Sequence, residues 1–201
     1  TITGSGDLYM DEANALTVKD AKLADGDAHL ATGDDLAIES LAVNGDTVLN
    51  SAGVISTGVR GSLSADDLTA SAVDGIDLNA NLASASLNVS GSGDIDLTNQ
   101  NALALNQAST VDGDIDVDAG GDLGIGQVAA PGEHSVRLAS GGAIEADGDG
   151  SIDSRDVTLN AVNGIGANGA LSLNAVALTA ITDNGDIRLD QTGTVALNTV
   201  R

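Results

Sequence analysis

Cysteine, phenylalanine and tryptophan are absent from this 201-residue chain, proline, methionine and tyrosine occur once each, and lysine plus arginine number only 7. Each shortage excludes something. Without cysteine there is no disulfide framework and no thiolate chemistry, and bridge counting says nothing about redox compartment. Without rings that each bury roughly 150–250 Å², any interior must be filled by thin layers of aliphatic side chains. The single proline, Pro131 in Ala129-Ala130-Pro131-Gly132, reads as a loop, so almost no strand hydrogen bond is lost to a missing N–H. Against 30 aspartates and glutamates the few cations leave a formal charge of −23. Nucleic acid and anionic membrane are therefore excluded as partners, since both are met by clusters of Lys and Arg, and cations are the natural counterparts. No apolar run reaches the length of a membrane-spanning helix, and no basic segment leads into an apolar one as in a signal peptide. Beginning at Thr1, the chain reads as a piece of a longer protein.

What is present is alternation. The chain is 42% hydrophobic on a count made almost wholly of Ala, Val, Leu and Ile. Asp94-Ile95-Asp96-Leu97, Leu103-Ala104-Leu105, Asp114-Ile115-Asp116-Val117, Val136-Arg137-Leu138, Val157-Thr158-Leu159 and Leu171-Ser172-Leu173 place apolar residues at every second position, the period of a strand with one buried face. Disordered acidic, glycine-rich tracts do not space their aliphatics in this way. Between the runs sit Asn44-Gly45-Asp46, Val73-Asp74-Gly75, Ser90-Gly91-Ser92-Gly93 and Asn163-Gly164, which carry turn chemistry.

The phrases Gly75-Ile76-Asp77-Leu78, Gly93-Asp94-Ile95-Asp96-Leu97 and Gly113-Asp114-Ile115-Asp116-Val117 recur at 95 − 76 = 19 and 115 − 95 = 20 residues, and Gly185-Asp186-Ile187-Arg188-Leu189 repeats the wording later. A period near twenty is too long for a hairpin and marks a stacked supersecondary unit. The expected fold is all-β: a single-stranded parallel β-helix (β-solenoid) of about 20 residues per coil, with residues 1–201 as one solenoid segment and no linker dividing it. About ten coils spaced roughly 4.8 Å apart make a rod on the order of 50 Å long. Ile76, Ile95 and Ile115 should stack inside, and Asp77, Asp96 and Asp116 outside as a carboxylate ladder. From Ile125 to Ile144 the pattern loosens, and Gly132-Glu133-His134 is expected to bulge from a corner.

These phrases, with Gly142-Ala143-Ile144, resemble the repeats of filamentous haemagglutinin-like bacterial exoproteins, the large adhesins exported by two-partner secretion. The resemblance covers most of the chain and is best from about residue 60 onward. It implies a right-handed parallel β-helix in the shaft of a secreted or surface-exposed adhesin, contacting host cells or biofilm matrix, with an outer-membrane secretion partner. It carries no catalytic residue across. Adjoining coils of the parent protein, or head-to-tail copies in a filament, are the expected neighbours of the end coils.

Specific chemistry has few openings. Asp94, Asp96, Asp112, Asp114 and Asp116, and the group Asp147, Asp149 and Asp153 around Gly148 and Gly150, are candidate weak calcium ligands, because hard cations take six to eight oxygens from carboxylates and turn carbonyls. The second group lacks the twelfth-position Glu of an EF-hand, and the competing reading is a solvated acidic face that keeps rods apart. Gly164-Ile165-Gly166-Ala167-Asn168-Gly169 matches a dinucleotide-binding spacing but is followed by the strand alternation Ala170-Leu171-Ser172-Leu173 where a helix is needed. Gly53 and Gly58 have a phosphate-loop spacing with Val59-Arg60 in place of Lys-Ser/Thr. His29 and His134 stand alone, without Cys or a Gly-x-Ser-x-Gly elbow. Asp34-Asp35 and Asp66-Asp67 offer paired carboxylates of the kind used by polysaccharide-cleaving β-helices, but Tyr9 is the only ring apart from the histidines to hold a sugar. Thr1-Ile2-Thr3 is the only Thr-x-Thr phrase for an ice-binding rank, and it does not recur. The expectation is a structural protein and not an enzyme.

Overall fold

The computed structural model describes residues 2–201. Thr1, and with it the start of the Thr1-Ile2-Thr3 phrase, lies outside the described residues. Every regular element among them is a strand: β1 (Ile2–Ser5), β2 (Leu8–Glu12), β3 (Leu16–Val18), β4 (Ala21–Asp25), β5 (Ala28–Thr32), β6 (Leu36–Ile38), β7 (Ser40–Val43), β8 (Thr47–Ser51), β9 (Val54–Ser56), β10 (Ser62–Ala72), β11 (Gly75–Val89), β12 (Ile95–Asn99), β13 (Leu103–Ser109), β14 (Ile115–Ala119), β15 (Leu123–Ser140), β16 (Ile144–Ala161), β17 (Leu171–Asn174), β18 (Ala177–Thr182), β19 (Leu189–Gln191) and β20 (Ala196–Val200). All the pairings between these strands are parallel, each with a strand one coil away, so the chain is a β-solenoid.

One column of side chains runs through the whole molecule. Leu16, Leu36, Ile55, Ile76, Ile95, Ile115, Val136, Val157, Leu178 and Leu197 are successive register partners. Ten coils averaging (197 − 16)/9 ≈ 20.1 residues follow from that register. A second column, on another face, joins Met10, Leu30, Leu49, Ala70, Leu87, Ala108, Val128, Ile152 and Leu173. The columns meet in one continuous aliphatic core in which Leu36, Leu49, Ile55, Ile95, Leu97 and Ile115 are almost fully covered. β-branched and Leu side chains suit this packing because each must lie on a near-copy of itself at strand spacing.

The later Gly185-Asp186-Ile187 phrase does not join the Ile76, Ile95 and Ile115 column, although its wording is the same. Ile187 bridges to Ile165, which bridges to Ile144, itself the partner of Leu123. Gly142-Ala143-Ile144 belongs to this other corner too. The phrase therefore encodes a turn followed by the first inward residue, and a coil has more than one such turn.

Corners are sealed by small buried polar groups. Ser51 Oγ donates to the Val54 carbonyl and accepts from Gly53 N–H, and Ser140 Oγ does the same with Ala143 and Gly142. Thr110 Oγ1 reaches the Gly113 carbonyl at 2.7 Å. Asn99, 1% exposed, accepts from Leu82 N–H and donates to the Leu82, Asn101 and Ala102 carbonyls. Each satisfies backbone groups that a tight corner would leave buried and unpaired. Glycine is needed where corners touch: a Cβ on Gly113 would run into the carbonyl of Gly93 one coil below.

Register shifts by one residue between β1 and β4, β11 and β13, and β18 and β20, and the two largest shifts within a strand pair, of three residues each, lie between β15 and β16. Between β15 and β16, Ala130 pairs with Ser154 and Ser135 with Asp156, so five steps on one strand match two on the other. Pro131, Gly132 and Glu133 bulge outward there and are exposed; of the expected Gly132-Glu133-His134, the first two project and His134 is half-buried. The same two strands show the reverse one turn earlier: Ile125 and Gln127 face Ala146 and Ser151, which pushes Asp147, Gly148 and Asp149 out into solvent.

Candidate functional site

The outward position beside the Ile column carries the carboxylates. Asp77, Asp96 and Asp116 are direct register partners, and the next position in that column is Arg137. Their strands bury Ile and Leu or Val on either side, so the pleat forces these aspartates outward. With Asp74, Asp94 and Asp114 they line an open groove of about 350 Å³ whose floor includes Gly75, Ile76 and Ile95. The groove thus assembles Asp94, Asp96, Asp114 and Asp116 of the candidate calcium ligands and adds Asp74 and Asp77. Partial burial, then the neighbouring Asp116 and Asp77 charges and to a lesser degree Asp94, push the Asp96 carboxyl above its ordinary value of 3.8; Arg137 opposes them. Arg137 itself is held by Asp116 at 2.5 Å, which ends the run of like charge.

Several of these carboxylates are already engaged by the fold. Asp94 Oδ1 accepts the backbone N–H of Asp114 at 2.8 Å, and Asp114 Oδ1 accepts that of Ser135 at 2.7 Å, each one coil on. The same bond recurs from Asp27 N–H to Asp7, from Asp46 N–H to Asp27, from Val54 N–H to Asp35 and from Ala143 N–H to Asp122. A turn aspartate thereby pins the start of the next coil through a charge-assisted hydrogen bond. Alternation shows which aspartates face out; it does not show this second use, whose only sequence sign is Asp recurring at turn positions about one coil apart.

Asp112 lies outside the groove lining. Its Oδ1 meets His134 Nε2 at 2.8 Å, and His134 Nδ1 stands 3.6 Å from Asp114. The bulge that carries His134 is tied at its far side by the Glu133–Arg155 ion pair. Asp147 and Asp149 project from the other bulge, while Asp153 lies on β16 and accepts from Asn174 one coil on. The two candidate calcium groups thus occupy separate corners. Among the described residues no group of three or more His, Cys, Asp or Glu is arranged to hold a metal ion.

The other sequence candidates are placed plainly. Asp34 and Asp35 occupy a turn in which Asp34 Oδ1 accepts Asp35 N–H and Asp35 accepts from the next coil. Asp67 accepts the Ser84 hydroxyl. In the glycine-rich phrase, Ile165 is buried in a core column and the chain proceeds into strand β17, with no helix among the described residues. Gly53 is buried against Asp34 and Asp35, and Gly58 sits in an exposed turn.

One arrangement has no local sign in the sequence. Tyr9 and His29, 20 positions apart, are register partners on β2 and β5, and their rings stack with centroids 4.7 Å apart and planes 3° from parallel. The signal that points to them is the coil period, blurred in the first sixty residues by Ala and Thr at inward positions.

No family model matches the chain, and no curated protein or solved structure does.

Proposed function

We propose that this chain is a length of rigid shaft in a secreted or surface-exposed bacterial adhesin, carrying distal contact sites away from the cell toward host surfaces or matrix. The observation that carries this reading is the unbroken ten-member aliphatic column from Leu16 to Leu197, with parallel register in every coil. Backbone groups of each coil are satisfied by the coils above and below, so bending or stretching the rod breaks several hydrogen bonds at once. The acidic outer ladder discourages side-by-side association of such rods. Turn carboxylates bonded to the next coil serve the same end, since they lock coil to coil; for Asp94 and Asp114 this favours a structural role over calcium binding. Adjoining solenoid coils extend the register at the terminal coils, and the repeat resemblance supports export through an outer-membrane partner.

Surface labelling tests the proposal. Antibody raised against residues 60–200 should decorate intact cells of the source bacterium, and surface proteolysis should remove the signal. Labelling only after lysis would overturn the adhesin reading while leaving the fold untouched. Cells lacking the parent gene should adhere less to host or matrix surfaces.

A further inference from the structure

Asn-Gly occurs four times, at Asn44-Gly45, Asn163-Gly164, Asn168-Gly169 and Asn184-Gly185. All four lie in turns between strands, but they are not held alike. Asn44 Nδ2 donates to the Ala24 carbonyl of the coil before at 3.0 Å, and the Gly45 carbonyl accepts the Asp66 N–H of the coil after. Asn163 donates its N–H to the Gly142 carbonyl, and the carbonyl of Gly164, buried with φ at +121°, accepts the Ile144 N–H. Asn184 donates its N–H to the Val162 carbonyl, and its own carbonyl accepts the Thr182 hydroxyl. These three dipeptides are tied to neighbouring coils through their backbone.

Residues 167–170, the second half of the glycine-rich phrase, differ. Gly166 N–H bonds to Ile144 and Leu171 N–H to Arg188, and between them no backbone-to-backbone hydrogen bond is made among the described residues. Side chains hold this loop instead: Glu145 Oε2 accepts the Asn168 N–H at 3.0 Å, and Arg188 Nη1 donates to the Ala167 carbonyl at 2.8 Å. Asn168 and Gly169 are exposed, and nothing stands within 4 Å of where a Gly169 Cβ would lie.

We propose that Asn168 is a self-modification site, at which the chain deamidates through a cyclic imide with water as the only co-reactant. The Gly169 backbone nitrogen, losing its proton to solvent, attacks Asn168 Cγ; the N–Cγ bond forms, the Cγ–Nδ2 bond breaks, and Nδ2 leaves as ammonia. Water then opens the ring. Opening at Cγ leaves aspartate at 168, and opening at the backbone carbonyl leaves isoaspartate, with the chain running through the side-chain carbonyl. Glycine suits the attacking position because it has no Cβ to obstruct the nitrogen. The backbone of Asn168 must turn until that nitrogen meets Cγ, and only an unpaired segment turns without breaking bonds to the coils beside it. Either product sets a new carboxylate near Glu145 on a chain already at −23, while Ile165 and Leu171 on either side of the loop stay buried in the core. The site does not depend on the shaft reading.

The whole folded chain is incubated in mildly alkaline buffer and digested, and its asparagines are followed by fragmentation mass spectrometry. Deamidation should appear first at Asn168, at least about tenfold faster than at Asn44, Asn163 or Asn184, since each of those must first give up a coil-to-coil hydrogen bond. In guanidinium the four should react at similar rates, which assigns the difference to the fold. Both isoaspartate and aspartate should form at 168. Gly169→Ala, at a position with open space and no left-handed φ, should slow the reaction severalfold with the melting temperature unchanged. Equal rates at the four sites in the folded chain overturn the proposal, as does a preference for Asn168 that persists in guanidinium. Another asparagine reacting first, aspartate as the sole product, or a Gly169→Ala chain that reacts as fast as the parent would also overturn it.

Discussion

The coils of Ile76, Ile95 and Ile115 and those of Val136 and Val157 share one interior column but differ at their corners. In the first group register passes from coil to coil without interruption along that face, whereas β15 and β16 accommodate two outward bulges, at residues 131–133 and 147–149. On both sides of each bulge the inward residues regain their partners: Val128 faces Ile152, and Val136 faces Val157. The difference teaches where information resides. This solenoid takes up three-residue insertions at corners, where backbone can meet water, whereas along the stacked column, where each side chain lies on a near-copy of itself, the shift beside Leu197 is of one residue.

Substitutions can break this contrast in order of size. Ile95→Ala removes a fully buried member of the column between Ile76 and Ile115, and should cost about 2–5 kcal/mol by denaturant unfolding. Gly113→Ala places a methyl against the Gly93 carbonyl at a corner that has no bulge to absorb it, and should cost about 1–3 kcal/mol in the same assay. Asp114→Ala leaves the Ser135 N–H without its acceptor, for a loss of about 1 kcal/mol.

The acidic ladder supplies an effect of opposite sign. Asp96 has a folded-state pKa above its unfolded value, so its ionised form is disfavoured in the native rod. As pH rises through the raised value, the native state loses stability relative to a chain lacking that charge. Asp96→Asn should therefore be more stable than the parent at pH 7, by about 0.5 kcal/mol given cross-strand repulsion screened by solvent. The advantage should shrink as pH falls through the folded pKa and level off below the ordinary value of 3.8. Melting curves across that window check the sign; a parent more stable than the variant at pH 7 would refute the assignment.

The smallest effect belongs to the bulge. Removing residues 147–149 leaves Gly150 alone between Ala146 and Ser151, matching Gly126 between Ile125 and Gln127. Unfolding free energy should change by less than about 1 kcal/mol, since shortening a surface loop alters closure entropy only slightly. Calcium should raise the melting temperature of neither the parent nor this deletion beyond the effect of equal ionic strength. A rise in the parent alone would assign a calcium site to Asp147 and Asp149.

Much of the molecule is legible in the order of its residues. Ile76, Ile95 and Ile115 inside, with Asp77, Asp96 and Asp116 outside, follow from alternation and interval alone, because a strand has only two faces and a coil only one length that keeps the copies aligned. Ile187 shows the limit. Its phrase repeats the wording of Ile95's, yet turns of similar chemistry occur at different corners, and a local phrase cannot say which corner it occupies. The candidate ligands show another: Asp94, Asp112 and Asp114 read alike in the chain, but their partners are respectively a backbone N–H, a histidine from a bulge, and both a backbone N–H and that histidine's other nitrogen.

Composition and period together dictated that this chain be an all-aliphatic, acid-faced solenoid, since local alternation and a recurring turn are properties of neighbouring residues. Stacking alone decided which residues meet: that Tyr9 lies on His29, that Arg137 ends the Asp77, Asp96 and Asp116 ladder, and that turn aspartates hold the coil after their own. Those contacts join residues about twenty apart, and shifts of one or two residues in coil length, together with the bulges, set them. Such small shifts leave the repeat recognisable in sequence and change every cross-coil neighbour in space.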